Sequence, residues 1–170
     1  NQERGKRGGT TNTPGIVGFA RASAIAHANM RIYNHKLKSL SEYFEAKLTE
    51  SVENVIINAN IKQKLPHIIS VTFVGVDGES LMTKLDMNGI AVSMGSACTS
   101  NSLTVSHVIS ALGIQADNAR STLRFSFSTS NTFEEIDKAV AIIKQAVEEL
   151  RAYSSTYSMK IRKRKGDKNV

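Results

Sequence analysis

A helical pattern that runs from about residue 14 to residue 52 is the feature that most restricts how this chain folds. Thr13 followed by Pro14 is typical of a helix start, where threonine caps the first turn and proline suits an early helical position. A helix of this length is long for the interior of one compact domain, so the pattern predicts a helix that links two domains. Its apolar members are Ile16, Phe19, Ala20, Ile25, Ile32, Leu37, Leu40, Phe44 and Leu48.

Short strand and helix patterns alternate after this segment. The stretch 67–76 is apolar on both faces, which predicts a central strand. Residues 121–128, "STLRFSFS", alternate between an apolar face that contains Phe125 and a polar face that contains Arg124. We predict a small sheet covered by helices, in the α/β class, with an α+β small domain. The further elements predicted are strands at 54–59 and 90–94, and helices at 77–89 and 104–113.

The last predicted element is a strongly amphipathic helix. Thr132 and Glu135 have the spacing of a capping box, which opens a helix that ends near Tyr153. The apolar stripe of this helix predicts that one side packs on the sheet.

The positive charge of the chain lies at its two ends. The net charge is +7, yet residues 160–170 carry six Lys or Arg against one Asp, and residues 1–10 carry three against one Glu. The folded body is therefore neutral, and it lacks interleaved aromatic and basic residues, so nucleic-acid binding is disfavoured. No apolar run approaches a membrane span, and a single cysteine cannot form an internal disulfide, so a cytoplasmic location is expected.

Three polar positions can carry chemistry. Cys98, the one cysteine, lies in the small-residue run "GSACTS" (95–100), which suits either an exposed reactive thiol or an incidental one. Arg124 can grip a carboxylate with two hydrogen bonds, or form an ordinary salt bridge. The loop "ERGKRGGT" (3–10) can cradle a phosphate, although it lacks the spacing of known phosphate loops. The four histidines, at positions 27, 35, 67 and 107, lack metal-ligand spacing.

Several segments occur in the order and spacing of the cysteine desulfurases. The chain resembles the NifS/IscS type, class-V aminotransferases with a long cysteine-bearing loop, over about residues 2–155. The motifs are "QERGKRGGTTNTPGIVGFARA" (2–22), "GVDGESLMTKLDMNGIAVSMGSACTS" (75–100), "SHVISALG" (106–113), "STLRFSFS" (121–128) and "TFEEID" (132–137).

This resemblance implies a type I pyridoxal-phosphate (PLP) fold, a homodimer, and conversion of L-cysteine to L-alanine with a protein-bound persulfide. It implies that Cys98 is the nucleophile, that Arg124 grips the substrate carboxylate, and that Thr10 reaches the PLP phosphate of the neighbouring subunit. The sulfur then passes to an acceptor such as an iron–sulfur scaffold or a tRNA-thiolation protein.

The resemblance also divides the chain. Residues 1–13 are predicted as an active-site loop of the large PLP domain, 14–52 as the linking helix, 53–155 as the C-terminal small domain, and 156–170 as a basic, disordered tail. The PLP-binding lysine of the family should precede "ERGKRGGT" and is absent here, so we expect a piece of a longer enzyme that is inactive alone. The alternative is a non-catalytic fragment that accepts sulfur or docks a partner.

Overall fold

The computed structural model describes residues 3–58, 64–94, 109 and 111–153. Their contacts divide the chain into two compact units, residues 1–35 and 36–170. Helix α1 (Thr13–Ser51) runs through the boundary between the two units. Within the described residues, no helix combines the length and the apolar character needed to span a bilayer. The four-segment division predicted above stays a prediction.

The first unit contains a 3-10 turn (Glu3–Gly5), a loop and the N-terminal part of α1. The predicted cap at Thr13 is wrong by one residue. The side chain of Asn12 accepts a hydrogen bond from the Gly15 amide at 3.1 Å, so Asn12 caps the helix and Thr13 is its first helical residue. Asparagine caps as well as threonine does, because its side-chain oxygen reaches the same orphan amide.

The described residues of the second unit form a four-stranded antiparallel sheet in the order β1-β2-β4-β3. The central position predicted for the 67–76 strand is confirmed, because β2 lies between β1 and β4. The strand bounds are β1 (Val55–Asn58), β2 (Ile68–Phe73), β3 (Ser93–Met94) and β4 (Thr122–Ser126).

Three helices whose residues are all described accompany the C-terminal part of α1 in the second unit. They are α2 (Gly78–Met87), α3 (Ala116–Ala119) and α4 (Phe133–Tyr153). Asp77 caps α2 through the Ser80 amide, and the chain leaves that helix at Asn88 and Gly89, as predicted. The short α3 was not predicted. The predicted helix at 104–113 lies mostly outside the described residues.

The core of this unit joins one face of the sheet to the helices. Phe44 of α1 is buried, and its ring centroid lies 4.9 Å from that of Phe125 on β4. Burial of large apolar side chains supplies most of the stability of such a layer. The largest members of the core are Leu40, Phe44, Leu48, Ile69, Phe73, Leu81, Leu85, Leu123 and Ile143.

The capping box of α4 is confirmed. The Glu135 amide donates to the Thr132 hydroxyl at 3.2 Å, and the Thr132 amide donates to the Glu135 carboxylate at 3.1 Å. The apolar stripe that follows is buried at Ile136, Val140 and Ile143. The cap and the stripe together fix both the start of α4 and the side that meets the core.

Candidate functional site

Arg124 lies in the middle of β4 and is exposed on the sheet face that carries polar residues. Its register partners are Ser70 on β2 and Ser93 on β3, and Ser70 in turn pairs with Asn58 on β1. Directly opposed residues of an antiparallel pair point to the same face, with Cβ atoms about 5 Å apart. A single polar row, Asn58–Ser70–Arg124–Ser93, therefore crosses all four strands.

A second row on this face is buried, although alternation alone gives no sign of it. Thr72 and Thr122 are register partners, each at most 1% exposed, and their hydroxyl oxygens lie 2.7 Å apart. Asn58, 7% exposed, donates from its amide nitrogen to Thr72 at 2.9 Å and to Ser70 at 3.1 Å. Thr122 also donates to the Asn118 carbonyl at 3.0 Å. These bonds satisfy polar groups that would otherwise be costly to bury.

The start of β4 is tied to the turn that follows β2. The Ser121 hydroxyl donates to the Val76 carbonyl at 2.5 Å, and the Phe73 amide donates to the Ser121 carbonyl at 2.9 Å. Ser121 itself is buried. These bonds fix where β4 begins, and therefore where Arg124 stands relative to β2.

Thr10 lies in the first unit, in an exposed glycine loop. The Arg7 guanidinium donates to the carbonyls of Gly8 and Gly9 at 3.1 and 3.4 Å and to the Thr11 hydroxyl at 3.2 Å. Gly9 has φ +80, and a Cβ atom at either glycine would meet open space. A positive charge, open space at both glycines and nearby hydroxyls are features of phosphate-binding loops.

Cys98 lies outside the described residues, and so does the rest of the small-residue run 95–100. Strand β3 ends at Met94, which pairs with Leu123, and Ser93 pairs with Arg124. Strand β3 therefore lies beside Arg124 and ends four residues before Cys98 in sequence.

An apolar groove of about 470 Å³ opens near the C-terminal end of β4. Phe44, Phe125 and Phe127 contribute to its walls, and Glu135 and Lys138 of α4 also line it. Neither Thr10 nor Arg124 is among its described lining residues. The groove is thus separate from the polar row.

Arg151 is a buried charge that sequence analysis did not single out. Its guanidinium donates to the carbonyls of Glu53 at 2.8 Å, Asn54 at 3.2 Å and Val74 at 3.0 Å. Only 8% of this residue is exposed. It connects the end of α4 to the turn before β1 and to the end of β2. In the described part of the chain, no three His, Cys, Asp or Glu side chains are grouped to hold a metal ion.

Comparison with known proteins places these features in a family. The family model described as aminotransferase class V matches residues 1–139. The chain belongs to the class-V aminotransferase family. The matched residues of this class-V chain include β4, which carries Arg124, and the exposed loop that carries Thr10.

The relatives of this class-V chain are named cysteine desulfurases. It is 41% identical to cysteine desulfurase IscS of Ruthia magnifica over 157 residues, covering 92% of the chain and 38% of the relative. It is 44% identical to cysteine desulfurase IscS of Vibrio atlanticus over 158 residues, covering 92% and 38%. The chain thus spans about two fifths of the length of these curated relatives.

Solved structures agree with the predicted fold. A NifS-like protein superimposes with a TM-score of 0.75 at 32% identity, covering 88% of this chain and 37% of the other. The NifS-like protein of Rickettsia africae gives a TM-score of 0.75 at 31% identity, covering 86% and 38%. The mixed α/β fold of the PLP-dependent, NifS-like type is therefore confirmed.

Proposed function

We propose that this chain is the C-terminal part of a PLP-dependent cysteine desulfurase, which converts L-cysteine to L-alanine and leaves the sulfur as a persulfide on Cys98. The observation that carries the proposal is the exposed Arg124 in the centre of a polar row that spans the sheet. Relatives of this chain are named cysteine desulfurases, which supports L-cysteine as the proposed substrate. The supporting geometry is that Arg124 lies on β4, which pairs directly with β3, the strand that precedes the cysteine segment.

Arg124 is proposed to hold the substrate carboxylate. Its side chain is exposed, and no described residue forms an ion pair or side-chain hydrogen bond with its guanidinium, which supports a role in ligand binding. An arginine fork binds a carboxylate through two parallel hydrogen bonds, which fixes orientation as well as charge. Cysteine bound in this way presents its α-carbon and side chain in one defined direction.

Cys98 is proposed as the sulfur acceptor. Its thiolate attacks the substrate sulfur, the S–S bond forms as the Cβ–S bond of the substrate breaks, and the Cβ gains a proton to give alanine. The chain has one cysteine, so no internal thiol can capture the persulfide as a disulfide. A reducing cytoplasm would keep this thiol available between transfers.

PLP would supply the electron sink when bound. Thr10 is proposed to donate its hydroxyl to the cofactor phosphate, and Arg7 would add positive charge beside it, since its guanidinium lies over the same loop. The lysine that holds the cofactor is proposed to lie in polypeptide outside these 170 residues, because the relatives are much longer than the matched part.

The first unit has a surface suited to association with that polypeptide or with a second subunit. Phe19 is 76% exposed, Ile32 68% and Val17 63%, all in the N-terminal half of α1. Exposed apolar groups gathered on one element are typical of interaction surfaces. A homodimer with the cofactor loop shared between subunits is therefore proposed, with an iron–sulfur scaffold or a tRNA-thiolation protein as sulfur acceptor.

A chimera tests this function. The chain replaces the matching segment of the Vibrio atlanticus relative, and the purified chimera is incubated with PLP and L-cysteine. We expect alanine, a cofactor absorbance band, and one added sulfur on Cys98 by intact mass. Cys98→Ser should keep the absorbance band and lose sulfur transfer.

The separate 170-residue chain is measured in parallel. Sulfur that reaches Cys98 from a separate desulfurase, with no alanine formed by the chimera, would favour the non-catalytic acceptor instead. Sulfur transfer that survives in the Cys98→Ser chimera would contradict the assignment of the nucleophile.

A further inference from the structure

The hydrogen-bond network behind Arg124 has a defined direction. Each hydroxyl has one proton to donate. Thr122 gives its proton to the Asn118 carbonyl at 3.0 Å, so the 2.7 Å contact between Thr72 and Thr122 uses the Thr72 proton. Thr72 must then accept from Asn58, at 2.9 Å, rather than donate to the Asn58 oxygen at 3.2 Å.

This direction determines what Ser70 can do. The Asn58 amide nitrogen has two protons, of which one goes to Thr72 and the other to the Ser70 hydroxyl oxygen at 3.1 Å. The Ser70 hydroxyl oxygen therefore accepts a hydrogen bond from the buried Asn58 side chain. Its own proton has no acceptor among the described residues, and the residue directly opposite on the same face is Arg124.

We propose that Ser70 is a second binding residue for the substrate carboxylate. It would donate its hydroxyl proton to a carboxylate oxygen held by Arg124, with Asn58 orienting the hydroxyl from behind. This inference rests on the proposed function of Arg124, and it specifies a recognition group that the arginine alone does not supply. Asn58 is 7% exposed, and its amide nitrogen donates one proton to Thr72 and the other to Ser70, which fixes the direction of the hydrogen bond that Ser70 accepts.

The hydrogen bond that Ser70 accepts from Asn58 should strengthen the bond that Ser70 donates to the carboxylate. A hydroxyl whose oxygen already accepts a hydrogen bond becomes a better donor, because bonds in a chain polarise one another. Hydrogen bonds to charged groups also contribute more than neutral ones. Ser93 flanks Arg124 on the other side, but no described residue orients its hydroxyl, so the assignment is made to Ser70.

The test uses the PLP-loaded chimera and steady-state kinetics with L-cysteine. Ser70→Ala is expected to raise KM roughly tenfold, the effect of losing one hydrogen bond to a charged group, while kcat changes less than about twofold because the bond forms equally in the ground and transition states. Ser70→Thr keeps the hydroxyl and should restore KM. Ser130→Ala, in the exposed turn after β4, is the matched control and should leave both constants unchanged.

Binding of 3-mercaptopropionate and of cysteamine separates carboxylate recognition from general damage. The first has a carboxylate and the second does not, so Ser70→Ala should weaken inhibition by the first alone. Equal losses for both compounds, or an unchanged KM in Ser70→Ala, would overturn the role of Ser70.

Arg124→Ala separates this inference from the proposed function. If Arg124→Ala loses carboxylate-dependent binding and Ser70→Ala does not, the inference about Ser70 fails alone. If Arg124→Ala keeps that binding, the proposed role of Arg124 as the carboxylate-binding residue is overturned, and the inference about Ser70 is overturned with it. Should the chimera be inactive, amide NMR shifts of Ser70 and Arg124 in the 170-residue chain, titrated with the same two compounds, give the same decision.

Discussion

Gly78 lies so close to the carbonyl oxygen of Arg120 that a Cβ atom at position 78 would stand 2.2 Å from it. The first turn of α2 therefore packs directly on the backbone that leads into β4. Because the obstructing atom is backbone, it cannot rotate away as a flexible side chain would. This contact and the Ser121 bonds together fix the start of the strand that carries Arg124.

Gly78→Ala is expected to lower the free energy of unfolding by about 2 kcal/mol, because the backbone at Arg120 must shift. Urea unfolding of the 170-residue chain measures the change. Gly18→Ala is the matched control. It also lies in a helix, but its Cβ would meet open space, so alanine should leave stability unchanged or raise it by about 0.5 kcal/mol. Equal effects at both positions would contradict the close approach at Gly78.

Removing the buried guanidinium of Arg151 should destabilise the second unit. Arg151→Met would leave the carbonyls of Glu53 and Val74 without their donors, and we expect a loss of about 3 kcal/mol. Arg120→Met changes an exposed arginine and should cost less than about 0.5 kcal/mol. Thermal and urea unfolding of both variants provide the measurement. A loss below about 1 kcal/mol for Arg151→Met would mean that water replaces the guanidinium.

Thr72 and Thr122 should be energetically coupled. Thr72→Val and Thr122→Val are each expected to cost about 1–2 kcal/mol, because each leaves a buried partner unsatisfied. The double variant should cost less than the sum of the two, since it removes both polar groups of the 2.7 Å pair together. A double-mutant cycle measured by urea unfolding gives the coupling. Strict additivity would show that the two hydroxyls do not interact.

Acid should weaken the start of α4 through Glu135. The Asn131 side-chain amide and then the Thr132 backbone amide donate to its carboxylate and hold its pKa below the ordinary value of 4.5. A lowered folded-state pKa favours the ionised form, so its contribution is present above pH 4.5 and is lost as pH falls through the folded-state pKa.

The Glu135→Gln variant keeps an acceptor oxygen but cannot titrate. Its stability should therefore fall less steeply than that of the wild type as pH is lowered from neutrality through this window. Glu148→Gln, an exposed change later in the same helix, controls for net charge. The same acid dependence in all three proteins would show that the capping carboxylate has no part in it.

The elements that the sequence predicted well are those set by neighbouring residues. The capping box at Thr132 and Glu135, the Asp77 cap and the Asn88–Gly89 stop all depend on groups within a few positions of each other. The alternation around Arg124 likewise identified its polar face, because side chains in a strand alternate with a period of two.

What the sequence could not predict depends on long-range pairing. Arg151 donates to carbonyls 77 to 98 positions away, and such partners leave no local pattern. Thr122 looked like any polar strand residue, yet it is buried against Thr72, fifty positions earlier. The α1 cap is Asn12 and not Thr13 for a local reason. Both residue types can cap a helix, and the sequence alone does not determine which of the two accepts the bond from the first-turn amide.

The polar row across the sheet also has an evolutionary consequence. The donor direction of Ser70 is set by Asn58, twelve positions earlier on another strand, and not by its own neighbours. Replacing Asn58 by an acceptor such as aspartate would reverse that direction and turn the Ser70 proton away from Arg124. Positions 58 and 70 should therefore covary among related chains, and a substitution at one should be tolerated only in the company of a matching change at the other.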